Sequence, residues 1–205
     1  MTFTEKRKAF IDRTARKPGG KTGIKMYSNP KAHFKGFRII MNRLNLSPQD
    51  EYFEIGCGGG QLLGMALERV KFAAAVDHSP DMAALATKNN QRHVKEHRAE
   101  ILVGNAEHLP CPDNRFTSGA SANMFFFVER PEKVLSEIYR VLQPGGRFAL
   151  VTMGNGLLGK ICFGWLYSLR TYSDDEMRTM LRNAGFSKIE VTSGYSQVCY
   201  AEKPL

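Results

Sequence analysis

Apolar runs alternate with amphipathic stretches along most of the chain, and this alternation predicts strands followed by helices. Almost wholly apolar runs are typical of buried strands, and an apolar position every three or four residues is typical of a surface helix. The predicted strands are 52–55, 72–77, 101–103, one within 117–127, 147–152, 188–192 and 197–201. The predicted helices are 35–46, 61–70, one starting after Ser79, 131–142 and one starting after Ser173, where Ser173 and Glu176 fit a capping box. Strands alternating with helices indicate an α/β fold, so we expect one doubly wound domain with a largely parallel sheet.

A glycine-rich loop joins the first predicted strand to the next helix. Four glycines between 56 and 60 let a ligand approach the backbone closely, and the N-terminus of the following helix favours an anionic group. The nicotinamide fingerprint needs a further glycine at 61 or 63, where the chain has Gln61 and Leu63. Glu54 lies inside the strand before the loop. Asp77 ends the second strand, where a carboxylate can accept the hydroxyls of a ribose, and it strengthens the prediction of a ligand site.

The net charge of +9 is confined to the first part of the chain. Residues 1–40 contain eleven basic and two acidic side chains, whereas residues 41–205 are electrically balanced. A basic segment can attract phosphate, anionic lipid or an acidic substrate. The alternative is a solvated N-terminus that aids solubility.

Several classes of protein are disfavoured by the composition. No apolar run reaches the roughly 18 residues that a membrane-spanning helix needs. The start of the chain lacks the apolar core of a secretory signal, so we expect a cytoplasmic protein. The cysteines form no C-x-x-C pair, and we expect reduced thiols rather than disulfides or a metal site; they are Cys57, Cys111, Cys162 and Cys199.

Five segments, in this order, resemble the motifs of the class I S-adenosylmethionine-dependent methyltransferases. They are Glu54-Ile55-Gly56-Cys57-Gly58-Gly59-Gly60, Val76-Asp77-His78-Ser79, residues 104–116, Val141-Leu142-Gln143-Pro144-Gly145-Gly146 and Leu181-Arg182-Asn183-Ala184-Gly185-Phe186. The resemblance extends from about residue 37 to 201 and is greatest to the methyltransferase-11 or ubiquinone/menaquinone-biosynthesis subgroup. It implies a Rossmann-like, mostly parallel sheet of seven strands with helices on both faces, and S-adenosylmethionine as the cofactor.

The resemblance also implies where this cofactor would lie. The methionyl end would lie on the loop 56–60, with Glu54 near its amino group, and Asp77 would bind the ribose. Adenine would contact residues that follow the second and third strands, and the sulfonium would lie at the end of the fourth strand. The implied cofactor-binding residues are Glu54, Gly56, Cys57, Gly58, Gly60, Asp77, His78, Met82, Asn105, Ala106, Glu107, Ala122 and Asn123.

The fourth strand departs from the family pattern. Thr117 replaces the acid that usually opens this strand, and Ser118, Gly119 and Ser121 stand where the family is usually apolar. Asn105, after the third strand, replaces another acid, so a neutral amide would meet adenine. We therefore expect the fourth strand to be weakly built.

No side chain is marked by the sequence as a catalytic base. The sulfonium already activates the methyl group, so a base is needed only if the acceptor is a hydroxyl or a protonated amine. The candidates are Tyr27, His33, His108, Tyr167 and Tyr172, and the alternative for each is a packed or exposed side chain without a catalytic role.

The sequence therefore predicts a basic arm or lid, 1–36, and a methyltransferase domain, 37–205. An apolar insert, 154–172, would form a lid with residues 125–127 or a helix packed on the sheet. We expect methyl transfer to a small molecule of aromatic or lipophilic character. An RNA methyltransferase that uses the basic arm and a non-catalytic cofactor-binding protein are the alternatives. The oligomeric state is left open.

Overall fold

The computed structural model describes residues 16–154 and 169–205. The rest of the arm and insert, including Tyr167, lies outside the described residues. The strands are β1 (Glu51–Ile55), β2 (Phe72–Asp77), β3 (Ala99–Val103), β4 (Phe116–Ala122), β5 (Leu142–Met153), β6 (Ser187–Ser193) and β7 (Ser196–Glu202). The α-helices are α1 (Gly20–Tyr27), α2 (Phe34–Leu44), α3 (Gln61–Leu67), α4 (Pro80–Asn89), α5 (Gln91–Lys95), α6 (Pro131–Val141) and α7 (Asp174–Asn183). Two 3-10 helices are Lys31–His33 and Phe125–Phe127.

The seven strands form one sheet in the order β3-β2-β1-β4-β5-β7-β6. The pairs from β3 to β5 are parallel, whereas β7 runs antiparallel to both β5 and β6. The chain therefore leaves β1 towards β2 and β3, and later returns to β1 from the other side with β4. This reversal opens a crevice beyond the carboxyl ends of β1 and β4, where doubly wound sheets bind ligands.

Alternate side chains of each central strand enter two separate apolar cores. Phe53 and Ile55 of β1 belong to the core that includes residues of α6 and α7, whereas Tyr52 belongs to the core that includes residues of α2 and α3. Successive side chains of a strand point to opposite faces of its sheet. The helices therefore cover both faces, and the predicted doubly wound, mostly parallel fold is confirmed.

The ends of the helices follow local capping chemistry. Ser79 accepts a hydrogen bond from the Met82 N–H at the start of α4, and Ser173 and Glu176 form the predicted capping box of α7. Helix α2 ends at Leu44, two residues before the predicted end, and Asn45 after it has the left-handed conformation with φ 45°. Helix α1 was not predicted, because Pro18-Gly19-Gly20 and Asn29-Pro30, at its two ends, are typical of loops.

The expectation of a weakly built β4 is wrong. This strand lies between β1 and β5 and is almost wholly buried. A β-carbon at Gly119 would lie 2.0 Å from the ring of Phe53, so the glycine makes room for that ring. The Ser121 hydroxyl donates to the Ile55 carbonyl across the strand pair. Small residues in β4 therefore accommodate its neighbours.

A polar network closes the amino-terminal end of β4. The Thr117 hydroxyl donates to Asp50 at 2.6 Å, and the Arg147 guanidinium donates to the same carboxylate oxygen at 2.6 Å. Asp50 also accepts the Ser47 N–H at 2.7 Å. Burial raises the pKa of Asp50, but these hydrogen bonds and the Arg147 charge outweigh it and lower the pKa below its ordinary value.

Candidate functional site

The glycine loop after β1 is tightly enclosed. Gly56, Gly58 and Gly60 have φ values of 70°, 51° and 75°, which favour glycine. A β-carbon at Gly56 would lie 2.7 Å from the Met124 side chain, and one at Gly58 would lie 2.9 Å from the Tyr27 ring. The loop therefore has room for close contacts with a ligand only while these positions carry no side chain.

Asp77 holds the glycine loop and the start of α4 together. One of its carboxylate oxygens accepts the Gly58 N–H at 2.9 Å, and the other accepts the Ser79 N–H at 2.9 Å. A carboxylate offers about four acceptor positions, so these two bonds fix Asp77 and leave acceptor capacity for a ligand.

Glu54 is a buried acid whose hydrogen bonding is incomplete. The residue is 2% exposed, and its Oε2 has no hydrogen-bond partner among the described residues. Burial, and then the charge of Asp77, raise the pKa of Glu54 well above its ordinary value. Two acids at the end of neighbouring strands, one of them unsatisfied, form a place where a positively charged group would be stabilised.

Two adjoining cavities lie at this edge of the sheet. The larger, of about 190 Å³, is lined by Gly56, His78, Asn105, Ala106 and Glu107 among others. The smaller, of about 50 Å³, is lined by Glu54, Gly56, Cys57, Gly58, Asp77, His78, Ala122 and Asn123 among others. Arg16 and Met124 line both cavities and were missed by the sequence analysis, whereas Phe127, which also lines both, is one of the predicted lid residues 125–127. Met124 and Phe127 belong to the apolar stretch after β4, which was the available signal, whereas nothing marked Arg16.

Two of the implied cofactor-binding residues lie outside the lining of both cavities. A β-carbon at Gly60 would lie 2.6 Å from Asn90 and 2.9 Å from Ala86, so this glycine allows the loop to pack on α4. Met82 is fully buried in α4. Gly60 therefore supports the loop from behind.

The polar groups after β3 are already engaged. The Asn105 side-chain oxygen accepts the Glu107 N–H at 3.0 Å, which orders the turn at the larger cavity. Glu107 forms an ion pair with Arg130, and Glu129 beside it lies 3.8 Å from Arg16. The rim of the larger cavity is therefore strongly polar.

The segment 16–36 lies over the smaller cavity. The Gln61 side chain donates to the Tyr27 carbonyl at 3.0 Å and to the Ser28 carbonyl at 2.9 Å. The Ser79 hydroxyl donates to the Pro18 carbonyl at 2.6 Å, and Asp81 accepts the Gly20 N–H at 2.6 Å. These bonds fasten the segment to the starts of both α3 and α4.

The segment also brings two of the catalytic candidates to the site. Tyr27 and His33 line the smaller cavity. The His33 ring packs edge-on against Tyr27 and Phe37, with centroid distances of 6.3 and 6.1 Å. Burial lowers the pKa of His33 below its ordinary value of 6.5, so the imidazole is neutral at pH 7.

The other described candidates lie away from both cavities. His108 is exposed in the turn after β3. Tyr172 packs beside Phe125, with ring centroids 5.9 Å apart, and burial raises the pKa of its phenol. The structure therefore brings together His33 and Tyr27 but not His108 or Tyr172.

A family model described as a methyltransferase domain matches residues 53–150, from within β1 to within β5. This span contains the glycine loop, Asp77 and the ordered turn after β3. This part of the chain belongs to the class I S-adenosylmethionine-dependent methyltransferase family. The predicted family is confirmed. Within the described residues, the methyltransferase domain has no group of three or more acids, histidines or cysteines that could hold a metal.

Curated relatives of this methyltransferase domain include proteins of the predicted subgroup. A malonyl-(acyl-carrier protein) O-methyltransferase of Marinomonas sp. is 30% identical over 134 residues, covering 62% of this chain and 48% of the relative. A demethylmenaquinone methyltransferase of Symbiobacterium thermophilum is 28% identical over 141 residues, covering 67% and 56%. The chain thus spans about half the length of the curated relatives it matches.

Solved structures show the same fold. A phosphoethanolamine N-methyltransferase 2 of Haemonchus contortus, in complex with S-adenosyl-L-methionine, has a TM-score of 0.81 at 18% identity, covering 97% of this chain and 60% of that chain. A geranyl diphosphate methyltransferase has a TM-score of 0.71 at 15% identity, covering 83% and 77%. No described helix of this methyltransferase domain is long and apolar enough to span a membrane.

Proposed function

We propose that the chain binds S-adenosylmethionine in the two cavities and transfers its methyl group to a small apolar or aromatic acceptor. The observation that carries the proposal is the buried, unsatisfied Oε2 of Glu54 beside the glycine loop. An ammonium group would give this oxygen its missing hydrogen bond and would offset the repulsion between Glu54 and Asp77.

The residues present fit this cofactor. Glu54 would hold its amino group, and the two free acceptor positions of Asp77 would take the ribose hydroxyls. The larger cavity, with Ala106 and the Asn105 turn on one side and His78 on the other, would take the adenine. When bound, the cofactor supplies a methyl group that its sulfonium has already activated, so the chain contributes mainly alignment.

The acceptor would lie beside the cofactor, at the side of the smaller cavity that the segment 16–36 covers. Phe37, Phe127 and Pro30 give this cavity apolar walls, which supports a small aromatic or lipophilic acceptor. His33 is the polar group on the side of the N-terminal segment, and its neutral imidazole can accept a proton from a hydroxyl or amine acceptor. The segment 16–36 acts in this proposal as a lid that keeps water from the acceptor.

Calorimetry with S-adenosylmethionine and S-adenosylhomocysteine tests the cofactor site. We expect one molecule bound per chain, and at least roughly tenfold weaker binding to Glu54→Gln because the charge-assisted hydrogen bond is lost. The exposed Glu132→Gln on α6 is the matched control and should bind normally. Absence of binding to the unaltered chain, or normal binding to Glu54→Gln, would refute the proposal.

A transfer assay with labelled methyl groups tests the acceptor class. Phenols, quinols, carboxylic acids and amines with apolar substituents are the compounds to compare, with RNA as the macromolecular alternative. We expect transfer to at least one small apolar compound. Transfer to RNA alone would establish the RNA methyltransferase instead, and cofactor binding without any transfer would favour a non-catalytic protein.

A further inference from the structure

The segment 16–38, part of which covers the smaller cavity, is basic and contributes no acidic side chain, and one acid that contacts it is Asp81 of α4, which accepts the Gly20 N–H. The sequence has no acid between Asp12 and Asp50. Six basic side chains in the described part of this stretch are exposed, and none of them forms an ion pair with another described residue. They are Lys17, Lys21, Lys25, Lys31, Lys35 and Arg38, and we call them the basic face.

Two apolar side chains stand among these charges. Ile24 is 40% exposed and Met26 is 53% exposed, and both lie on α1 between or beside Lys21 and Lys25. The opposite side of α1 packs on the body, because Tyr27 lies against the glycine loop and Asp81 of α4 accepts the Gly20 N–H. Helix α1 therefore presents an outward surface of lysines interspersed with apolar groups, directly above the proposed acceptor cavity.

The aromatic side chains of this segment are turned away from that surface. Tyr27, His33 and Phe37 pack against one another and line the smaller cavity, and Phe34 packs on Phe37. Proteins that bind single-stranded nucleic acid stack bases on exposed aromatic rings, which the described basic face lacks. It also has five lysines to one arginine, whereas arginine is favoured for bidentate recognition of phosphate in nucleic acids.

An acidic protein partner is also less well matched. A specific protein interface has a desolvated centre with pockets that receive anchoring side chains. Ile24 and Met26 instead protrude singly, and neither of the two described cavities opens among the lysines of α1. A lipid surface requires only accessible positive charge and a few apolar side chains that enter the interface.

We propose that the basic face docks on an anionic lipid surface, with Ile24 and Met26 entering the headgroup region. Docking would place the segment 16–36 and the cavity beneath it at the lipid, so that a lipophilic acceptor could enter from there. The proposed lipid binding does not depend on the proposed function. Only the delivery of an acceptor from the lipid rests on the proposed function.

Sedimentation with vesicles tests the proposal on the full chain. Vesicles of phosphatidylcholine alone are compared with vesicles in which about a third of the lipid is phosphatidylglycerol. We expect binding to the anionic vesicles only, decreasing with salt, and roughly fivefold weaker for each lysine removed in Lys21→Gln/Lys25→Gln. Ile24→Ser/Met26→Ser should weaken binding at every salt concentration.

A matched control separates docking from general charge. Lys95→Gln/Lys133→Gln removes the same charge from two exposed lysines on α5 and α6, and should bind vesicles as the unaltered chain does. All variants should keep the melting temperature and the affinity for S-adenosylmethionine in solution, so a failure of the proposed function would be seen separately. The proposal would be overturned by equal binding to neutral vesicles or by equal losses of binding in the control variant. It would also be overturned if RNA or an acidic carrier protein, at the same charge concentration as the lipid, displaced the chain from the vesicles.

Discussion

The two walls of the cleft are built in different ways. One wall consists of short segments directly after strands, with Glu54 in β1, the glycine loop after it and Asp77 at the end of β2. The other wall consists of residues 16–36, which reach the site through bonds between residues far apart in the chain, such as Gln61 with Tyr27 and Ser79 with Pro18. The first wall is part of the sheet, whereas the second is attached to it.

This difference separates cofactor binding from lid closure. The strand-end wall is held by the parallel pairs of β1 with β2 and β4, so it should persist when the segment 16–36 is detached. The attached wall depends on a handful of hydrogen bonds, each worth about 1 kcal/mol. Perturbations should therefore affect the two walls to different extents, and in some cases independently.

The largest effect is expected where the two walls meet. At Gly58, with φ 51°, a β-carbon would lie 2.9 Å from the Tyr27 ring, so Gly58→Val strains the loop and displaces α1. We expect at least roughly 100-fold weaker binding of S-adenosylhomocysteine by calorimetry, since the loop and its cover are both disturbed. A β-carbon at Gly194 would have no atom within 4 Å, so normal binding is expected for the control Gly194→Val. Retained affinity in Gly58→Val would contradict the assigned loop.

The network under β4 should affect stability and leave the cleft intact. Asp50→Asn leaves Arg147 without its charged partner, and we expect a loss of about 2 kcal/mol in the free energy of unfolding. Asp113→Asn is the control. Asp113 also lies 2.6 Å from an arginine, Arg140, but its side chain is 67% exposed, so this substitution should lower the free energy of unfolding by about 0.5 kcal/mol or less. Since the pKa of Asp50 is lowered in the folded state, its contribution is present above its ordinary pKa and is lost as the pH falls. Urea titrations at neutral and acidic pH measure both effects, and equal losses in the two variants would rule out a special role for Asp50.

The attachment of the second wall should be the next most sensitive. Gln61→Ala removes the two bonds to the Tyr27 and Ser28 carbonyls, so we expect roughly fivefold more frequent opening of the segment 16–36. Limited trypsin cleavage after Lys21 and Lys25 would report the opening. Gln143→Ala, which removes a bond to the Arg115 carbonyl on the other side of the fold, is the control and should be cleaved at the normal rate. An unchanged cleavage rate in Gln61→Ala would show that the segment is held by other contacts.

The smallest effect concerns acid. Burial lowers the pKa of His33, so this side chain binds a proton more readily when the segment 16–36 is open than when it is closed. The stabilisation of the closed segment is therefore complete above the ordinary pKa of 6.5 and is lost as the pH falls below it. Hydrogen exchange of residues 20–27 should accelerate in acid in the unaltered chain more than in His33→Gln, after correction for intrinsic exchange. The same acceleration in both would assign the effect to another group.

The strand-end wall was accessible to sequence analysis because its pieces are local. Each acid or glycine there follows an apolar run directly, and parallel strands bring their carboxyl ends to one edge. For the second wall, an arm or lid over residues 1–36 was predicted but not the contacts that attach it, since Pro18 and Ser79 are 61 residues apart and no local pattern joins them. The sequence also does not distinguish Gly56, which faces the cavity, from Gly60, which packs on α4.

The fold shows the same distinction. Helix α7 was predicted because Ser173 and Glu176 form a recognisable capping box at its start. Helix α1 has glycine at its N-cap and is held by contacts with residues far away in the sequence. The small residues of β4 indicated weakness only when read alone. Against the Phe53 ring of the neighbouring strand they indicate close packing.

A crystal structure of the chain with S-adenosylhomocysteine would test the central claim most directly. The account predicts that the amino group of the ligand contacts Glu54 Oε2, that its ribose hydroxyls contact Asp77 and that its adenine fills the larger cavity, with residues 16–36 closed over the smaller one. A ligand bound elsewhere, or one bound here with Glu54 Oε2 still unsatisfied, would contradict it.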